Sequence, residues 1–116
     1  MDASKKQQLI EAGIDVDGAL ERFMGNEALL GRFLHKFLND TNFDKLQNAV
    51  AEHSLDDAIT ASHTLKGVCG NLSMTRMFDL LTGQVAAFRA GDWDRAVGML
   101  PDISAAYYQT VKAIRG

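Results

Sequence analysis

Among the residues of this chain that could do chemistry, one stretch stands apart: Ala61-Ser62-His63-Thr64-Leu65-Lys66-Gly67-Val68-Cys69-Gly70-Asn71-Leu72. Its pattern is helical, yet it holds Gly67 and Gly70, each costing roughly 1 kcal/mol relative to alanine inside a helix. A loss of that size beside a histidine suggests that something must come close to His63. An imidazole can ligate a metal, act as a base or act as a nucleophile. His35 and His53 are not at i+3 or i+4 from His63, and no Glu-x-x-His occurs, so no metal site is expected. No Gly-x-Ser-x-Gly elbow is present, nor a Walker or dinucleotide glycine pattern, so no ATP site is expected either. What remains is a surface nucleophile. A neutral ring nitrogen can attack a phosphoryl group, where positioning and charge stabilisation supply most of the catalysis. Lys66, at i+3, can steady phosphoryl oxygens. Gly67, at i+4, removes a side chain that would block approach, and Gly70 clears the next turn.

The helix that carries these residues must turn His63 outward. At 100° per residue from Leu65, the residues Ala58, Ala61, Val68, Cys69 and Leu72 fall within about 60° of one direction, which marks the core stripe. His63 lies at about 160°, almost opposite. Ile59, Asp56, Thr60, Gly67 and Gly70 share its side, with Lys66 on the flank. A histidine satisfied inside the core fits this wheel poorly. A plain solvated histidine is the other ordinary explanation, and its neighbours Lys66, Gly67 and Gly70 weigh against it. Close helix packing would explain the glycines too, but they face away from the stripe.

The remaining elements are all helical, with no sustained period-two alternation. A short helix is expected over Ser4 to Ala12, stopped by Gly13. Asp15 or Asp17 caps a second over Gly18 to Met24. After the Gly25-Asn26 turn, Glu27 to Asn39 carries a broad apolar face. Asp40 or Thr41 caps Asn42 to Glu52, which is either a separate helix or the continuation of one long bent helix. Asp56 or Asp57 begins the His63 helix, which runs to about Leu72. Another follows over Arg76 to Ala90, and Asp92 caps a last one over Trp93 to Ile114. Pro101 kinks that last helix, or two helices meet there. Long amphipathic helices joined by short turns give an all-α fold, an antiparallel up-down four-helix bundle with short accessory N-terminal helices.

Composition is consistent with this. The 116 residues suit one domain, and an apolar fraction of 47% supports a real core. A net charge of −3 offers no basic footprint for nucleic acid. No run reaches the ~20 apolar residues of a membrane span, and Met1 to Gln8 has no signal core. The single cysteine, Cys69, excludes an internal disulfide, suits a reducing compartment and falls on the buried stripe. A soluble, cytoplasmic monomer is expected, with no nucleic acid and no membrane among its partners.

Residues 63–72, HTLKGVCGNL, resemble the signature of histidine-containing phosphotransfer (HPt) domains, a His-x-x-Lys-Gly pattern usually followed by small residues and a Leu-Gly-like pair. The likeness extends to Gly13-Ile14-Asp15, Phe23-Met24-Gly25-Asn26, Phe33-Leu34-His35-Lys36-Phe37 and Ala90-Gly91-Asp92. Ser73 stands where many members have glycine. The resemblance implies a single HPt-like domain over residues 1–116, with the bundle core at about 27–114. It implies a phosphorelay carrier rather than an enzyme. His63 accepts a phosphoryl group from a receiver-domain aspartate and passes it to another. Lys66 stabilises the phosphoryl charge and Gly67 admits the receiver. The implied partners are response-regulator receiver domains and a hybrid histidine kinase. The receiver brings Mg²⁺ and the catalytic carboxylates, so the chain needs no metal or cofactor of its own. Many members hold the second imidazole nitrogen with a Gln or Glu on the next helix. Gln84 is the nearest polar candidate for that role, with Val85 the alternative occupant of the slot. Receiver docking falls to Ile59, Lys66, Gly67, Gly70 and Asn71, together with Leu34, if the Leu30/Leu34 pair faces the surface and Phe33/Phe37 faces inward. Two other functions compete: a receiver-docking module that is never phosphorylated, and a histidine-dependent phospho-aspartate phosphatase.

Overall fold

The computed structural model describes residues 1–116. Eight α-helices follow one another, and no strand occurs: α1 (Ala3–Glu11), α2 (Val16–Arg22), α3 (Glu27–Phe37), α4 (Asn42–Ala51), α5 (Leu55–Asn71), α6 (Thr75–Arg89), α7 (Trp93–Gly98) and α8 (Leu100–Arg115). Four of them start on an acidic or amide side chain that accepts a backbone N–H of the first turn. Asp2 takes that of Lys5, Asp15 that of Gly18, Asn26 that of Leu29 and Asp92 that of Arg95. Each such cap is worth about 1 kcal/mol. Asp15 therefore caps α2 and Asp17 does not; Asp17 instead pairs with Lys6 at 2.8 Å.

Three boundaries that the sequence left open are settled. α3 stops at Phe37, and the chain turns before α4, so the two are separate helices. The Asp40 carboxylate holds that turn by accepting both the backbone and the side-chain N–H of Asn42. α5 begins at Leu55, one residue before Asp56 and two before Asp57, which puts both aspartates in its first turn, where they favour the positive end of the helix dipole. Pro101 lies in the first turn of α8, where a missing N–H costs no hydrogen bond, so two helices meet at Met99.

The helices pack in sequence order, with α4 on α5, α5 on α6, and α6 on α7 and α8. α3 closes against α8, and α1 lies on α8. The molecule is elongated, 43 × 23 × 20 Å. One continuous core of 27 buried apolar residues draws on all eight helices. Fully buried Phe37, Phe43, Leu65, Leu81, Phe88 and Ile103 each contribute about 1.5–3 kcal/mol. Tyr107 of α8 stacks on Phe43 (4.3 Å between centroids) and tilts against Phe37 (5.8 Å), joining α3, α4 and α8. No helix is long and apolar enough to cross a membrane.

The corner between α5 and α6 matters most for the site. Ser73 adopts φ 53, in the left-handed region. This lets Met74 N–H reach back to the Cys69 carbonyl at 2.9 Å and end α5 sharply. The freed Ser73 carbonyl accepts Asp15 N–H at 2.9 Å, while Gly13 O accepts from Arg76 N (3.2 Å) and Thr75 Oγ1 (3.1 Å). The N-terminal helices are thus fastened to the end of α5. A Cβ on Gly13 would meet Arg76 Cβ, and its φ of 97 suits only glycine. A left-handed L-residue costs roughly 1–2 kcal/mol, and the Ser73 hydroxyl makes no side-chain bond that compensates. Ser73→Gly is therefore expected to stabilise the protein by about 1 kcal/mol, read as a higher denaturant midpoint at unchanged slope.

Candidate functional site

α5 is a helix with two opposed faces. Ala58, Ala61, Ser62, Leu65 and Cys69 are buried, whereas His63, Thr64 and Gly67 are exposed. His63 thus projects away from the core, as the wheel requires. Of the three histidines only His35 forms a ring-nitrogen hydrogen bond within the chain, to Gly31 O at 3.1 Å. Both nitrogens of His63 are free. Lys66, half-buried, places its ammonium 5.6 Å from the centre of the Phe78 ring, a cation–π contact that holds it on the flank of the histidine face.

The two glycines separate. A Cβ on Gly67 would meet nothing within 4 Å, so the fold itself does not require glycine there. A Cβ on Gly70 would sit 3.1–3.2 Å from the Phe78 ring, so Gly70 permits the close approach of α5 and α6. The packing explanation set aside on the wheel is therefore the right one for Gly70. Helix neighbours alone do not reveal an aromatic that arrives from eight residues further along the chain.

Two further expectations are corrected. Gln84 does not reach His63. It is fully buried, and both ends of its amide are used: Ser62 Oγ donates to Oε1 at 2.8 Å, and Nε2 donates to the Ala96 carbonyl at 3.0 Å. Ala96 lies in the last turn of α7, where its carbonyl otherwise accepts only a long bond from Met99 N–H at 3.3 Å. Gln84 supplements that bond and locks α5, α6 and α7 together. Val85 is also buried. Leu34 is core, together with Leu30 and Phe37, because α8 packs on that side of α3. Of the Leu30/Leu34 and Phe33/Phe37 pairs, the member at the surface is Phe33, 40% exposed. Ile59 is half-buried against the core and Asn71 is exposed.

Sequence reasoning missed a groove of about 920 Å³ where α2 runs past the end of α5. Gly67, Gly70 and Asn71 line one wall, with Glu21 and Arg22 of α2 opposite and Phe78 of α6 at the side. The polar side chains of α2 gave no sign of it, since the long-range hydrogen bonds at Ser73 and Gly13 are what bring α2 there. It also missed the stacking of His53 on Trp93, 4.1 Å between centroids. No group of three or more His, Cys, Asp or Glu residues converges anywhere. Burial pushes the Cys69 thiol up to about 12, with Asp40 adding to the shift, and its S–H faces Met77 Sδ at 4.0 Å.

No family model matches the chain, and no curated protein or solved structure matches it.

Gln84→Ala would strand the Ser62 hydroxyl and leave the Ala96 carbonyl with only the 3.3 Å bond from Met99 N–H, and is expected to cost about 1–3 kcal/mol in urea unfolding. Cys69 gives a pH signature. Between about pH 9 and 12 the unfolded thiol ionises while the folded one keeps its proton. The native state then binds more protons, so stability falls as pH rises, by up to about 1.4 kcal/mol per pH unit. Cys69→Ala should flatten the alkaline limb of the stability profile relative to wild type.

Proposed function

We propose that this protein is a phosphorelay carrier in which His63 takes a phosphoryl group from the aspartate of one receiver domain and delivers it to that of another. One observation carries the reading. His63 is exposed on the bare side of a 17-residue helix, with both ring nitrogens free and an unobstructed glycine one turn on. The likeness of HTLKGVCGNL to the HPt signature supplies the substrate class. The packing order supports a four-helix bundle whose legs are α3 with α4, α5, α6, and α7 with α8, while α1 and α2 are the accessory N-terminal helices.

The chemistry balances without a group from this chain beyond the imidazole. A neutral ring nitrogen attacks the phosphorus of an aspartyl phosphate. The N–P bond forms as the P–O bond to the carboxyl breaks, and the aspartate departs as carboxylate. The imidazole keeps the proton on its other nitrogen and carries positive charge beside the phosphoryl group. Attack by a second aspartate reverses these steps. Lys66 adds positive charge on the flank, where phosphoryl oxygens gather, and Gly67 leaves room for the receiver's loops. The receiver supplies Mg²⁺ and the acidic residues that hold it. In this reading the protein works as a monomer in the cytoplasm, between a hybrid histidine kinase and a response regulator.

The test mixes the protein with phosphorylated receiver domains and follows intact mass. An acid-labile gain of one phosphoryl group on wild type, absent from His63→Gln, is the expected result. Free phosphate without a labelled intermediate would instead identify a phospho-aspartate phosphatase. Receiver binding that never labels His63 would identify a docking module. Gly67→Trp is expected to slow transfer tenfold or more, about 1.4 kcal/mol of barrier.

A further inference from the structure

The turn between α2 and α3 breaks two rules at one residue. Met24 is 94% exposed, although its side chain is apolar. Its backbone also sits at φ 57, a left-handed conformation that an L side chain resists. Glycine would remove both costs, and Gly25 directly after it already has φ 77. Beside Met24, Phe23 and Phe33 form an aromatic pair 5.2 Å apart that is open to solvent at Phe33. The Lys36 ammonium lies 5.4 Å from the Phe33 ring, and Arg22 and Arg32 are exposed on the adjoining turns.

Charge sharpens the picture. The chain is net −3, yet this corner gathers three cations. None of them is in an ion pair, since the two that exist are Met1 with Glu27 and Lys6 with Asp17. Glu27, an acid close to the corner in sequence, is paired with the N-terminal ammonium and Asp17 with Lys6, which leaves Glu21 as the unpaired exposed carboxylate of α2. The corner borders the end of α5 through Arg22. That residue lines the same groove as Gly67, Gly70 and Asn71, beside the carboxylates of Asp15, Glu21 and Asp79.

We propose that the α2–α3 corner is the selectivity anchor for docking. Met24 and Phe33 enter an apolar socket, ringed by carboxylates, on the receiver domain that exchanges phosphoryl with His63. The identity of that partner rests on the carrier reading; the chemistry of its socket follows from the corner itself. An apolar knob among unpaired cations binds best where it is desolvated and each cation finds an anion. A receiver with a basic or flat face leaves the cations repelled and Met24 wet, so the corner rejects as well as selects. The contact also brings the receiver to the edge of the groove that Gly67 lines, because Arg22 borders both.

The experiment measures three quantities on Met24→Gly: thermal unfolding, binding of a panel of isolated receiver domains loaded with Mg²⁺ and beryllofluoride, and label transfer to His63 from the same domains when phosphorylated. The melting temperature is expected to rise by about 4 °C as the left-handed strain is relieved. Receiver affinity is expected to fall about tenfold. Met24→Ala, which keeps the strain and loses the thioether, should lower affinity without the stability gain. Lys36→Glu with Arg32→Glu should weaken binding further and flatten its salt dependence. A panel in which no receiver binds wild type, or binds the Met24 variants equally well, overturns the proposal. Transfer to His63 that survives in Met24→Gly at unchanged affinity leaves the carrier reading standing and sinks the anchor. Binding lost in Met24→Gly with no label ever reaching His63 keeps the corner as a receiver-docking anchor and overturns the carrier reading, and with it the phosphoryl exchange assigned to the partner.

Discussion

The bonds that Ser62 and Gln84 make inside the core fix the rotation of α5, and the rest of the structure depends on that angle. Ser62 precedes His63 in sequence, so holding its hydroxyl in the core turns the imidazole outward by one 100° step. A rotation by one residue the other way would bury the imidazole without a partner and take the Ser62 hydroxyl away from Gln84 Oε1. Both penalties act together because buried polar groups are costly once any member of a network is unpaired. Leu65 and Cys69 reinforce the same angle from the apolar side. The histidine is therefore bare for a reason that lies wholly on the opposite face of its helix.

The corners do the second part of the positioning. Three residues with side chains, Met24, His53 and Ser73, sit in left-handed backbone, each in the turn after a helix. Gly13, Gly25 and Gly91 occupy the same region of conformational space without its cost. At Ser73 the geometry frees a carbonyl for Asp15, and the N-terminal helices are drawn to the foot of α5. The groove beside Gly67 exists because of that attachment. α2 is thus as much a part of the histidine face as α5, although the two are far apart in the chain.

Much of this was legible in the sequence, and the limits have definite causes. The element order, most caps and the outward direction of His63 follow from local periodicity, which depends only on neighbours three or four residues away. Gln84 was visible as a polar residue on the apolar side of its helix, but its partner was not, since Ser62 and Ala96 come from two other helices. Leu34 and Phe33 are neighbours in sequence, 100° apart on the wheel, and both fall within the broad apolar face of α3. Which of them is buried depends on where α8 lies, and no pattern within α3 records that. Gly70 and Gly67 look alike in sequence and differ only through Phe78, which arrives across a helix interface.

His53 and Trp93 have a consequence of another kind. Trp93 is the only tryptophan, and its indole is stacked on an imidazole at the junction of α4 with α5, close to where α7 begins. The groove beside Gly67 lies at the other end of α5. The molecule therefore contains an optical reporter at one end and a bare working surface at the other. Its ultraviolet emission registers whether the far helix ends are joined, and a partner seated at the groove touches neither ring. Loss of assembly and occupation of the surface thus reach a spectrometer as separate signals from an unlabelled protein.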